Sequence, residues 1–185
     1  RVASLKKTPR GYCLIQTPVA ELLPYRSVDE SRWYRGSLSE ASVWLTKQGH
    51  FGPAVIVDVA IENVKLGQRI TIAVDAGSGE TINITFDFHS GRVLVDRTQT
   101  GNTSFADNFS AVHAALFDFA AGRLSLQLLL DVNSLELFIQ GGETVISEQV
   151  FFTSSIRRFS LNAEHPLSET VTIELHSLGS SKGKA

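Results

Sequence analysis

The chain has 185 residues, with 17 Lys and Arg against 19 Asp and Glu for a formal charge of −2, which sets it apart from nucleic-acid binders and their clear basic excess. Hydrophobic residues make up 43% and charged residues 19%, a folded rather than a disordered composition, and no apolar run approaches the ~18 residues of a membrane span. The lone Cys13 excludes an internal disulfide, a Cys-x-x-Cys redox pair and a multi-cysteine zinc site, while the length suits one all-β domain, or at most two small ones, and a single chain of this size buries about 70% of its unfolded surface without such staples.

The chain opens at Arg1 with a β-like run and contains no Met, so a mature or excised piece of a longer precursor is expected, a truncation reading the same way. Thr17-Pro18 reads as an N-cap followed by Pro at the first helical position, with Val19, Leu22 and Leu23 making one or two turns before Pro24 stops them. Residues 26–53, with Trp33, Tyr34 and Trp44, offer no landmark. From residue 54 the period is two: Val55, Val57, Val59 and Ile61 share one face, and Asp58 and Glu62 the other. The same alternation returns with Ile70, Ile72 and Val74, and again with Ile82, Ile84, Phe86 and Phe88.

Gly-bearing turns, Ala76-Gly77-Ser78-Gly79 and His89-Ser90-Gly91, join these runs into hairpins. Residues 110–119 suit a helix or a strand equally. A second meander runs through residues 124–131, Asn133-Ser134, residues 135–140, Gly141-Gly142 and residues 144–152. Residues 156–161 and 170–176 read as closing strands. The expectation is an all-β fold, a two-sheet antiparallel β-sandwich of the lectin-like jelly-roll type, occupying residues 1–178, with a frayed tail at 179–185.

Local catalytic and metal motifs are absent. None of the five histidines lies three to five residues from another or pairs with Cys13, so no local zinc motif exists. Gly77-Ser78-Gly79 lacks the Lys-Ser/Thr and the helix of a phosphate loop. Gly179-Ser180-Ser181-Lys182-Gly183 matches a nucleophile elbow in letters only, since the chain ends two residues later. No cofactor and no metal are expected. Three Asn-x-Ser/Thr sequons, at Asn83, Asn102 and Asn108, point to a secreted, extracellular, glycosylated protein.

Several segments together resemble one family. Arg1-Val2-Ala3-Ser4-Leu5 followed by Leu14-Ile15-Gln16-Thr17-Pro18-Val19-Ala20-Glu21-Leu22 resembles the start of the C-terminal β-sandwich of glycoside hydrolase family 32, the invertases, inulinases and levanases. The run from Gly91 to Asn102, with Asp96-Arg97-Thr98-Gln99-Thr100-Gly101, resembles that family's strand ending in Asp-Arg-Ser/Thr-x-Ser/Thr-Gly. Leu130-Asp131-Val132-Asn133-Ser134-Leu135-Glu136-Leu137-Phe138 resembles its Val-Asp-Arg-Ser-Ser-Val-Glu-Val-Phe hairpin, with Val132 and Asn133 in place of Arg-Ser.

The resemblance implies a non-catalytic module beside an N-terminal five-bladed propeller of the same precursor. The family's Asn-Asp-Pro, Arg-Asp-Pro and Glu-Cys signatures are missing here: no Pro follows Asp, and Cys13 follows Tyr12. The implied partners are that propeller, a fructan or sucrose, and a second subunit, with no nucleic acid and no membrane.

Candidate residues each have two readings. Asp96 and Arg97 would grip sugar hydroxyls, or form an internal ion pair or loop anchor. Trp33, Tyr34 and Trp44 would make a stacking platform for a sugar, or belong to the core and its edge. Glu136 would contact the neighbouring domain, or be an ordinary solvent-facing strand position. His113 reads as a satisfied core or turn histidine. The alternative function is a stand-alone, lectin-like fructan-binding module; an enzyme of other chemistry would need a deep pocket with convergent titratable groups.

Overall fold

A computed structural model describes residues 1–8, 11–119, 122–155, 157–165 and 169–178; the tail expected at 179–185 lies outside them. The described residues form thirteen strands: β1 (Val2–Thr8), β2 (Gly11–Thr17), β3 (Arg26–Ser37), β4 (Val55–Glu62), β5 (Arg69–Gly77), β6 (Glu80–Asp87), β7 (Arg92–Gln99), β8 (Val112–Leu116), β9 (Arg123–Leu130), β10 (Ser134–Ile139), β11 (Thr144–Gln149), β12 (Arg158–Ala163) and β13 (Thr170–Leu178). A six-stranded sheet, β11-β10-β9-β4-β13-β3, packs on a five-stranded sheet, β12-β5-β6-β7-β8. Their pairings are antiparallel throughout. The fold is the expected two-sheet sandwich.

Register makes the core. Val57 stands opposite Leu128 on one side and Leu175 on the other, and Leu128 opposite Leu137. These side chains line one face of the six-stranded sheet and are at most 3% exposed. Ile72, Ile84 and Val95 form the matching row of the five-stranded sheet, likewise buried. A single one-residue slip would turn either row out to solvent, so the alternation fixes the pairing. Residues 112–116, ambiguous in sequence, are strand β8, because β7 offers a free edge to pair with.

Two local expectations need correction. Thr17 is not an N-cap: it ends β2, paired with Val2, and the following Pro18 favours extended backbone at Thr17. The short 3-10 turn runs from Ala20 to Tyr25 and contains Pro24 rather than ending before it. Conversely, residues 26–53 hold landmarks. They supply β3 and the helix α1 (Leu38–Lys47), whose Ser37 Oγ accepts a hydrogen bond from the Glu40 backbone N–H. Ser37-x-x-Glu40 is a capping-box pattern, and Leu38, Ala41 and Leu45 at i, i+3 and i+7 face the core. No helix among the described residues is long and apolar enough to cross a membrane.

The β1–β2 hairpin belongs to neither large sheet. It leans on the β10–β11 end through Arg1 to Glu136 and Lys6 to Glu143 ion pairs, at 2.9 Å and 2.6 Å.

Candidate functional site

Three regions hold the chemistry-bearing residues. The first is the outer face of the six-stranded sheet. Trp33, Glu174, Asp58, Gln127 and Phe138 stand in register across β3, β13, β4, β9 and β10 and so share the face turned away from the core. Trp33 is 57% exposed at the edge. Asp58 accepts a hydrogen bond from Gln127 Nε2 at 2.5 Å and faces Arg26 Nη1 at 3.5 Å. His176 Nε2 lies 3.6 Å from Glu174. Thr17, Pro18, Asp58, Ser125, Gln127 and Phe138 border a cleft of about 260 Å³ on this face.

Trp44 is not part of that surface. Strand alternation turns Tyr34 to the opposite side of β3 from Trp33, and Trp44 packs on Tyr34 at 5.3 Å against the core. The three aromatics are therefore split between two faces, Tyr34 and Trp44 on the core side and Trp33 on the outer side. Burial raises the Tyr34 phenol above its ordinary pKa, helped by Glu40, while its hydroxyl donates to the Ser37 carbonyl at 2.8 Å.

The second region is the seam between the sheets at β7, β8 and β11. Arg97 Nε approaches Glu148 at 3.4 Å, His113 Nδ1 meets the same carboxylate at 2.7 Å, and the guanidinium lies 4.1 Å from the Phe109 ring. Glu148 is 4% exposed. Asp96 does not join this group: its Oδ1 accepts from the Thr98 N–H and hydroxyl at 2.9 Å and 2.7 Å, closing a turn. Adjacent residues on a strand point to opposite faces, which is why Asp96 and Arg97 separate. Glu148, the residue that organises the seam, was passed over in sequence because its partners come from distant strands.

The third region is the N-terminal hairpin. Glu136, on the outer face, takes Arg1 in a two-point contact, Nη2 at 2.9 Å and Nε at 3.3 Å. Register places Leu5 opposite Leu14 and Lys7 opposite Tyr12. Leu5, Leu14 and Tyr12, exposed by 71%, 53% and 74%, thus lie side by side on one face of the hairpin.

The sequons differ in setting. Asn102 and Asn108 are exposed in the loop between β7 and β8, and Asn102 Oδ1 already accepts from Ser104. Asn83 sits half-buried on β6, between Ala73 and Asp96.

Another cleft, of about 350 Å³ beside α1, contains His50, Asp75 and Arg158, with Arg158 Nε donating to His50 Nδ1 at 2.9 Å. It holds a single carboxylate. Asp58 and Glu174 do come together, but on an open strand surface, and the cleft beside Asp58 is not bordered by Glu174. Neither place encloses a sugar between two carboxylates, the arrangement glycoside hydrolysis uses.

The family model described as "Glycosyl hydrolases family 32 C terminal" matches residues 32–177. A levanase of Bacillus sp. (strain L7) is 28% identical over 184 residues, covering 96% of this chain and 19% of its own length. An extracellular exo-inulinase of Aspergillus ficuum is 26% identical over 150 residues, covering 80% of this chain and 28% of its own. Among solved structures, exo-inulinase from Aspergillus awamori superposes with a TM-score of 0.77 at 22% identity, over 97% of this chain and 35% of that one. The chain thus spans less than a third of the length of these curated relatives.

Proposed function

The chain belongs to the family 32 C-terminal family of glycosyl hydrolases, and from that footing we propose that it is the non-catalytic β-sandwich module of a secreted glycosidase that cleaves fructan or sucrose. Its role is to pack against and stabilise the catalytic propeller of the same precursor. The observation that carries this reading is the stripe of Leu5, Leu14 and Tyr12. Three large apolar side chains on one face of a two-stranded hairpin have no cover among the described residues, and a hairpin of this kind is marginal without a further layer. Contiguous exposed apolar surface of this sort is characteristic of an interaction site.

In this reading Glu136 acts from inside the module, holding Arg1 and so setting the angle at which the hairpin leaves the sandwich. Secretion follows the relatives named as extracellular, and the exposed Asn102 and Asn108 are the sequons placed to carry glycans. The experiment is to incubate the chain with sucrose, inulin and levan and measure free fructose. No turnover above the blank is expected, and added family 32 propeller should bind the chain saturably. Turnover by the chain alone, or indifference to the propeller, overturns the reading.

A second reading has one observation in its favour. Trp33 presents an indole to solvent beside the polar row of the outer face, the kind of surface on which a sugar ring stacks. Calorimetric titration with levan oligosaccharides tests it: saturable binding abolished by Trp33→Ala supports direct contact with the carbohydrate, and a silent titration dismisses it.

A further inference from the structure

The outer face of the six-stranded sheet carries an arrangement distinct from the hairpin's apolar stripe. Asp58 and Glu174 are register partners on neighbouring antiparallel strands, so two carboxylates stand directly opposite each other. Like charges in that position are destabilising unless something positive lies between them. His176, two residues along β13 on the same face, brings its Nε2 to 3.6 Å from Glu174. One ligand atom from each of Asp58, Glu174 and His176 lies within 4.8 Å of the others. The His176 Nε2 is shielded from solvent and, among the described residues, has no hydrogen-bond partner, its 3.6 Å approach to Glu174 being too long for one, an unmet demand that buried polar groups rarely show.

Arg26 answers the negative charge only in part. Its Nη1 is 3.5 Å from Asp58 Oδ2, longer than a charge-assisted hydrogen bond, and its Nε is also buried with no hydrogen-bond partner among the described residues.

We propose that Asp58, Glu174 and His176 form a binding site for a divalent ion of the zinc class, which pins β4 to β13. Imidazole nitrogen and carboxylate oxygen are both zinc donors, and three protein ligands leave the fourth position to water. Calcium prefers more ligands, all of them oxygen. Gln127 serves as the outer partner: by donating to Asp58 Oδ1 it orients the carboxylate, and Oδ2, which faces Arg26 Nη1 at 3.5 Å, is the oxygen the ion would take from that guanidinium. Glu174, with 47% of its side chain exposed, opens the site to solvent. This inference does not rest on the proposed docking, which is argued from the hairpin's apolar stripe, although Glu174 is the register partner of Trp33 on the same face.

The test is calorimetric titration of zinc chloride into the 185-residue chain in a non-chelating buffer at neutral pH, with calcium chloride as control and thermal unfolding in parallel. Expected are saturable zinc binding and a raised unfolding midpoint, neither of them seen with calcium. Affinity should fall about tenfold or more in Glu174→Gln and in His176→Ala, a loss of the size seen when metal-site partners are removed. It should rise in Arg26→Gln, which takes a competing positive charge away. Glu174→Gln is half exposed, so it tests the site even if His176→Ala fails to fold. Absence of saturable zinc binding, or binding unchanged in Glu174→Gln, overturns the proposal.

Discussion

Arg97 on β7 and Glu148 on β11 join the two sheets at one edge of the sandwich, Nε to Oε2 at 3.4 Å, with Glu148 4% exposed. A buried carboxylate needs a partner, and here it has two, Arg97 and His113. Arg97→Ala leaves Glu148 with His113 alone and should cost about 3 kcal/mol, the scale of breaking a buried ion pair from one side. Adding Glu148→Gln to that variant should recover part of the loss. Urea unfolding of the wild type, both single variants and the double variant measures the coupling; additive losses would rule out the pair as a seam.

Gly142 controls where the N-terminal hairpin sits. It has φ of +92°, and a Cβ there would overlap the backbone carbonyl of Gln16 on β2. Gly142→Ala therefore forces either the turn or the hairpin to move, at a cost of roughly 1–3 kcal/mol. Faster proteolytic nicking around residues 17–25, with the sandwich itself intact, is the expected readout. An unchanged cleavage pattern would mean that the contact does not hold the hairpin.

Acid should weaken the β6–β7 turn in a defined window. Burial alone would raise the Asp87 pKa, but hydrogen bonds from the Ser90 and His89 backbone N–H groups and from Arg69 outweigh it and hold the pKa below the ordinary value. A group depressed in the folded state stabilises fully above its unfolded pKa of about 4. That contribution disappears as pH falls through the lower, folded value. Asp87→Asn removes the titration, so its urea midpoint should drop less between pH 5 and pH 2 than that of the wild type. Parallel curves for the two proteins would contradict this.

The apolar stripe separates folding from docking. Leu5 and Tyr12 are largely exposed, so Leu5→Ser with Tyr12→Ser should change the stability of the chain by no more than about 0.5 kcal/mol, as for surface substitutions generally. The same pair should weaken binding to a family 32 propeller at least tenfold, about 1.4 kcal/mol. Equal binding by both forms would remove the hairpin from the interface.

Much of this protein was written in local pattern. Alternation over residues 54–64 and 80–88 set the buried face, and glycine-bearing turns set the hairpins, because a strand's two-residue period and a turn's positive φ are short-range constraints. The motif around Asp131 marked the β9–β10 turn, where Asp131 N–H donates to the Ser134 carbonyl at 2.8 Å. Even α1, passed over, had its start encoded in Ser37 and Glu40.

Tertiary pairing decided the rest. Whether Trp33 and Trp44 share a surface depends on which face of β3 is covered. That Asp58 meets Glu174 and His176, or that Glu148 receives Arg97 and His113, depends on strand order and register between segments far apart in the chain. Such contacts are set by how the hydrophobic rows of two sheets close on one another, an energy summed over the whole core that no short stretch of residues contains.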